Sequence, residues 1–310
     1  MRYGAQLGDL LESRDPLVTV AVHDPLTARV VARTGGFDAL FLSGSGAALS
    51  RAGLPDMGLL TMSEIVSHVR NVQERVDLPV LVDGDDGYGG PGEAVRTVRE
   101  FAKTGVGGVM LEDQARPKRH GYGVEKRVLP REEAVGKLRV GLAARDERAP
   151  EMVIIGRTDA RGAADGSLDE AIARANAFGD VGADLVYVQG PQSMGEVRRV
   201  AEEVEYPQMY EGADSAPRLE AEEAAELGFD LLHYARGVTF ATVLAVEAYA
   251  EDLAAEGTPA FEALEATFRE SYVDLQELAG RAEFRAVERA AEGEAEDGRG
   301  NEKATEGRSG

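Results

Sequence analysis

The chain of 310 residues has no cysteine and no tryptophan, only four histidines, and lysine at only five of its 34 basic positions. Without cysteine there is no disulfide, no thiolate metal site and no cysteine nucleophile. No stretch approaches the roughly 18 to 20 consecutive apolar residues that a membrane span needs. The opening MRYGAQLGDLLESRDP lacks the basic-then-apolar layout of a signal peptide, so a cytoplasmic location is expected. The basic residues are outnumbered by 56 acidic ones, giving a formal net charge of -22 spread along the chain. No basic stripe exists to neutralise phosphates, which argues against nucleic acid or an anionic membrane as partner. A diffuse acidic surface with arginine favoured over lysine suits solubility in concentrated salt, where charge repulsion is strongly screened, and points to a halophilic source.

What is present is a globular composition, 43% hydrophobic, in a chain long enough for one large single-core domain. Short apolar runs recur at 17–24, 37–44, 78–85, 105–113, 151–159, 184–190, 207–212 and 229–237. Between them, stretches such as 63–76, 92–105 and 167–183 carry apolar residues at helical spacing behind Ser or Glu start signals. Continuous apolar strands separated by helices imply a parallel sheet covered on its outside, and eight such units imply a closed (β/α)8 barrel, with a doubly wound open sheet as the alternative. The expected barrel domain is 1–256. Residues 257–292 read as extra C-terminal helices packing on the barrel or a partner subunit, and the acidic tail 293–310 reads as disordered. Residues 43–61 and 115–130 read as the longest loops.

Charged and small polar residues stand at the same end of each run. Ser43 follows the second, Asp83 and Asp85 the third, Glu112 the fourth, Arg157 the fifth and Gln189 the sixth. In a parallel barrel these ends open on one face, so the side chains converge on one mouth. Carboxylates packed together repel and raise one another's pKa unless a cation sits among them. With no Cys and few His, such a set favours a hard ion held through oxygen and water, Mg2+ first and Mn2+ as an alternative. Rival motifs fail: DGDDG has Gly87 and Ala94 where a calcium loop needs oxygen ligands, and LSGSGAALS is neither a dinucleotide fingerprint nor a nucleophile elbow. Its small residues suit exposure of backbone N–H groups to an anion such as a carboxylate. His68 falls in a helical stretch and reads as structural, whereas His23 and His233 end strands near the mouth.

Taken in order, FLSGSGAALSRAGLPDMGLLTMSE, PVLVDGDDGYGG, LEDQARPKRHGYG, VLPREEAVGKLR and VIIGRTDAR resemble the isocitrate lyase and phosphoenolpyruvate mutase superfamily, most closely its methylisocitrate lyase-like branch, over roughly 15–240. The resemblance implies a barrel whose eighth helix is swapped between subunits of a homodimer or homotetramer. It also implies Mg2+-dependent chemistry, through an enolate or aci-carboxylate, on small 2-oxo or 2-hydroxy carboxylates. By position, Asp85 is implied as the direct Mg2+ ligand, with Asp83, Glu112 and Asp56 holding its waters and Asp56 also close to substrate. Ser43, Gly44 and Ser45 are implied as donors to the substrate carboxylate. Arg157 is implied as the partner of the developing oxyanion, and Lys118 and Arg119 as cations on a mobile gating loop.

Four positions depart from the lyase pattern. His120 stands where the lyases carry the Cys that protonates the leaving carbanion, Phe41 where they have Tyr, Gln189 where they have Glu and Gln208 where they have Asn. The metal half of the site is therefore kept and the proton-handling half rebuilt, with His120 as the replacement acid, since an imidazole titrates near ~6.5 and suits proton transfer. The expected activity is carbon-carbon cleavage of a small 2-hydroxy or 2-oxo polycarboxylate, resembling methylisocitrate or isocitrate, to pyruvate or glyoxylate. The alternatives are an oxaloacetate decarboxylase, a phosphoenolpyruvate mutase or phosphonopyruvate hydrolase-like enzyme, and a paralogue that binds a dicarboxylate without turnover.

Overall fold

The computed structural model describes residues 2–120, 126–212, 216–271 and 273–302. In chain order the elements are α1 (Arg2–Ser13), β1 (Leu17–Val22), α2 (Pro25–Arg33), β2 (Ala39–Leu42), α3 (Gly44–Ala52), α4 (Met62–Gln73), β3 (Val80–Asp83), α5 (Pro91–Ala102), β4 (Gly108–Glu112), α6 (Arg131–Arg148), β5 (Val153–Thr158), α7 (Leu168–Asp180), β6 (Leu185–Val188), α8 (Met194–Glu203), β7 (Met209–Glu211), α9 (Ala221–Leu227), β8 (Leu231–Tyr234), α10 (Gly237–Glu256), α11 (Thr258–Glu270), α12 (Leu275–Leu278) and α13 (Arg281–Glu302). All eight expected strands are present. They pair in parallel in the order β6-β5-β4-β3-β2-β1-β8-β7, and a bridge from Val186 to Gln208, just before β7, joins the two ends. The fold is a (β/α)8 barrel with additional C-terminal helices.

The strands read as continuous apolar runs because both of their faces are buried. Alternate residues, among them Leu17, Phe41, Leu81, Met110, Ile155, Tyr187, Met209 and Leu231, fill the barrel interior as one cluster. Their neighbours, such as Leu40, Val82, Val109, Ile154, Val186 and Leu232, belong to a second cluster packed against the helices. The sequence pattern assigned no element before β1, yet α1 is there and drives Leu7 into the interior cluster, with Leu10 and Leu11 packed against it. That closes the N-terminal end of the barrel with apolar side chains and leaves chemistry to the other end.

Segment 43–61 is not the loop expected from its small residues, because its first part forms α3. The Ser43 side chain accepts from the Gly46 N–H at 3.2 Å, and Gly53 ends the helix in the left-handed conformation at φ 63. The stretch 257–292, expected as C-terminal helices, carries α11, α12 and the start of α13, with the Asp274 side chain capping α12 through the Gln276 and Glu277 N–H groups. The backbone of α13 takes in 293–302 of the expected tail, and 303–310 lie outside the described residues. The chain divides into two compact units, Met1–Leu244 and Ala245–Gly310, with the division inside α10. Among the described residues no helix is long and apolar enough to cross a membrane.

Candidate active site

The inward register of each strand carries apolar residues through the barrel and ends in polar ones. Two residues beyond an interior side chain, Phe41 gives way to Ser43, Leu81 to Asp83, Met110 to Glu112, Ile155 to Arg157, Tyr187 to Gln189, Met209 to Glu211 and Leu231 to His233. A cleft at this end is lined by Ser43, Ser45, Asp56, Asp83, His120, Arg157 and Gln189 of the expected set, together with Phe41, Met110, Lys126, Glu211, His233, Ala235 and Arg236. Gly44 lets the N-terminus of α3 approach the cluster, since a Cβ there would meet the Asp83 carboxylate at 2.7 Å. The first N–H groups of that helix thus stand beside the acids, where an anionic substrate group would find donors.

One wall is acidic. The Lys118 ammonium, 6% exposed, pairs with Asp85 and lies 2.9 Å from Asp56 Oδ1. The other Asp56 oxygen accepts from His120 Nδ1 at 2.8 Å. Burial pushes the Asp56 carboxyl up, but the His120 hydrogen bond and the Lys118 charge hold it well below the usual range. Asp85 sits in the left-handed backbone region at φ 48, which aspartate tolerates better than most residues. Burial raises its carboxyl to about 6, with Lys118 opposing the rise and Asp83 and Asp56 adding to it. Glu112 is buried with neither carboxylate oxygen hydrogen-bonded. Its nearest cation is the Arg157 guanidinium at 3.6 Å, an ion-pair distance beyond that of a hydrogen bond. Burial, opposed by Lys118 and Arg157, raises it to about 8.

The facing wall is cationic. Arg157 grips Asp159 with Nε at 2.8 Å and Nη2 at 3.1 Å, and its guanidinium lies 5.7 Å from the centroid of the Tyr187 ring. Lys126 donates to the same Asp159 at 2.8 Å and to Gln189 Oε1 at 3.3 Å. Burial pushes Asp159 up, but Arg157 and Lys126 overcome it and keep this carboxyl below the usual range. Asp113 fixes the arrangement from behind, accepting from the Asp159 N–H at 2.9 Å, Thr158 Oγ1 at 2.7 Å and Arg174 at 3.0 Å.

Gly44, Asp85, Glu112 and Lys118 of the expected set do not line this cleft but adjoin it in the acid cluster, whereas Gln208 and Arg119 are turned away from both. Gln208 packs outside the barrel, its amide donating to the Ala201 and Val204 carbonyls at 3.3 and 3.4 Å, because it lies one residue out of the inward register of Met209. Arg119 turns onto the Lys118 carbonyl at 3.2 Å, while its N–H donates to Gln114. His23 also stays outside the cleft, contacting Thr239 at 3.2 Å, and its carbonyl meets His68 Nε2 at 2.7 Å. Gly121 and Tyr122 of the 118–122 loop lie outside the described residues.

Sequence reasoning missed Lys126 and Asp159. The inward spacing after Arg157 could have found Asp159, whereas Lys126 belongs to no strand and had no periodic signal. Among the described residues no three His, Asp or Glu side chains are gathered closely enough to hold a metal ion together. The set is instead four carboxylates, Asp56, Asp83, Asp85 and Glu112, around one ammonium.

A family model described as phosphoenolpyruvate phosphomutase matches residues 7–254. The chain is 37% identical over 238 residues to 2,3-dimethylmalate lyase of Eubacterium barkeri, spanning 76% of this chain and 80% of the relative. It is 35% identical over 227 residues to 2-methylisocitrate lyase of Bacillus subtilis (strain 168), spanning 73% of each. Among solved structures, phosphonopyruvate hydrolase in complex with oxalate and Mg2+ superposes with a TM-score of 0.79 at 25% identity, over 93% of this chain and 98% of that one.

Proposed function

The chain belongs to the phosphoenolpyruvate mutase and isocitrate lyase superfamily, and from that premise we propose a Mg2+-dependent lyase that splits a carbon-carbon bond in a small 2-hydroxy or 2-oxo polycarboxylate. The observation that carries this reading is Glu112, a buried carboxylate with two unpartnered oxygens, beside Asp83 and Asp85 and 3.6 Å from Arg157. Buried acceptors are ordinarily hydrogen-bonded, and two orphaned oxygens on one carboxylate call for partners, which water bound around an ion would supply. The donor set is all oxygen, which fits Mg2+, an ion that uses one or two carboxylates and keeps several waters. Asp85 would hold the ion directly, and Asp83, Glu112 and Asp56 its waters. When bound, the ion supplies Lewis acidity to the substrate oxygen on which negative charge builds.

The chain's own residues do the rest. The N–H groups at the start of α3, with Ser43 and Ser45, receive the substrate carboxylate. Arg157, fixed by Asp159, faces the oxygen that gains charge as the bond breaks, and preorganisation of this kind is worth a factor of about 10² to 10³ in turnover. His120, whose Nδ1 is committed to Asp56, keeps Nε2 for delivering a proton to the carbon of the departing fragment. The reading is tested by incubating the protein with Mg2+ in molar KCl against a panel of 2-hydroxy and 2-oxo acids and identifying products by mass spectrometry. Pyruvate or glyoxylate together with a second carboxylic acid is expected. CO2 with pyruvate as the only products would make it a decarboxylase.

The same reading includes a homodimer or homotetramer. No residue of α10 is buried, and Phe240, Val243, Leu244 and Val246 are 54, 56, 65 and 62% exposed. Such an apolar helix calls for a cover, which a second copy would provide. Sedimentation in molar KCl should give a multiple of 33.0 kDa, and a monomer would count against it.

A further inference from the structure

The seat of Lys118 is built rather than incidental. Arg116, two residues earlier, forks onto Asp86 with contacts of 2.9 and 2.7 Å and fixes the start of the loop. Gly58 leaves room for the lysine stem, because a Cβ at that position would meet Lys118 Cβ at 3.3 Å. The ammonium then enters the acid cluster and takes one oxygen each from Asp85 and Asp56. His120 takes the remaining oxygen of Asp56 at 2.8 Å. Asp56 is in this way saturated by two residues of one loop, and Asp85 is paired by the same lysine.

An ammonium on the Asp85 carboxylate and a divalent ion ligated by that carboxylate compete for the same small space. Two cations this close repel strongly in a site shielded from water. A flexible four-carbon stem lets the ammonium move without disturbing the strand ends. We infer that Lys118 is the resident counter-ion of the metal-free cluster, and that a divalent cation enters only as the ammonium leaves Asp85 and Asp56. Metal loading and release of the Lys118 ammonium are then one event. In the metal-free state the ammonium is seated on Asp85 and Asp56, and in the loaded state it is free to meet substrate, while His120 keeps its contact with the other Asp56 oxygen. The inference rests on the proposed Mg2+ site and adds to it the order of events there.

Two measurements on the full-length protein, with Mg2+ alone as the ligand, test it. In calorimetric titration Lys118→Met should bind Mg2+ about tenfold or more tightly than wild type, since the competing charge is gone, while Asp85→Ala should bind none. In the second, the unmodified protein is acylated with an amine reagent and read by mass spectrometry. Lys118, 6% exposed, should be slow without Mg2+ and several times faster with it, against Lys103 as an exposed reference. Wild type binding no Mg2+ would overturn the metal reading and the inference together. Binding by wild type but not Asp85→Ala, with Lys118→Met no tighter or Lys118 labelling unchanged by the ion, would overturn the inference alone. The labelling arm decides the matter even if Lys118→Met does not fold.

Discussion

The two walls of the cleft are both deeply buried, yet Asp85 and Glu112 on one and Asp159 on the other behave in opposite ways. On the β5 and β6 side one carboxylate, Asp159, is shared by Arg157 and Lys126 and is held below the usual range despite full burial. On the β3 and β4 side Asp56, Asp83, Asp85 and Glu112 share the single ammonium of Lys118, and burial wins at Asp85 and Glu112, which rise to about 6 and about 8. Desolvation is common to both walls, so the count of neighbouring cations decides the outcome. The acid wall is short of positive charge, and a divalent ion would restore the balance that the other wall already has. Glu112 stands at the seam, with the Arg157 guanidinium of the opposite wall 3.6 Å away.

Removing the centre of the acid wall should have the largest effect. Asp85→Ala is expected to lower turnover to background, a loss of about 10³ or more by analogy with removal of a principal electrostatic contributor. It should also remove any Mg2+-dependent rise in Tm. A variant that still gains thermal stability from Mg2+ as wild type does would place the ion elsewhere.

On the facing wall Arg157→Lys should lower turnover by roughly a hundredfold with a smaller change in KM. Arg157 spends Nε and Nη2 on Asp159 and has Nη1 outside that contact, whereas one ammonium cannot reproduce this fork. A raised KM with unchanged turnover would show that this residue binds only the ground state.

Smaller is the expected effect of His120→Gln, about tenfold to a hundredfold in turnover, in the range of general acid contributions. Exchange of pyruvate methyl protons with deuterium should persist through the remaining groups. Full turnover in the variant would remove the acid role.

The smallest effect belongs to the cleft floor. His233 is buried, with Nδ1 3.0 Å from Thr19 Oγ1 and its ring 4.5 Å from that of Phe41, and burial lowers its pKa from 6.5 to about 3. Its unfolded form takes up a proton as pH falls through 6.5, while the folded form does not until about 3. Stability from this group is therefore complete above 6.5 and lost between there and about 3. The limiting slope is about 1.4 kcal/mol per pH unit. His233→Gln should flatten the pH dependence of unfolding free energy by up to that slope in this window, whatever it does to the absolute stability. An identical slope would mean that the imidazole is already protonated when folded.

Most of the barrel was legible because a strand buried on both faces leaves an uninterrupted apolar run, and all eight runs became strands. Register carried the site further, since Ser43, Asp83, Glu112, Arg157 and Gln189 share the inward side of their strands. Gln208 stays outside the cleft because its neighbour Met209 holds that side, a difference of one residue. Helix α3 was hidden by glycines and serines that signal a loop until Ser43 is seen capping the turn. Lys126, together with the coupling of Lys118 and His120 through Asp56, depends on where a loop folds back, and no local spacing encodes that.

The most direct test of a cation deficit on the acid wall is to locate the ion. Crystals grown with Mn2+ and oxalate should give an anomalous peak within coordination distance of the Asp85 carboxylate, about 2.0 to 2.2 Å, with Asp83 and Glu112 reaching it through ordered water and the Lys118 ammonium displaced. No peak at saturating Mn2+, or a peak away from Asp85 with Lys118 still seated between Asp56 and Asp85, would contradict the account.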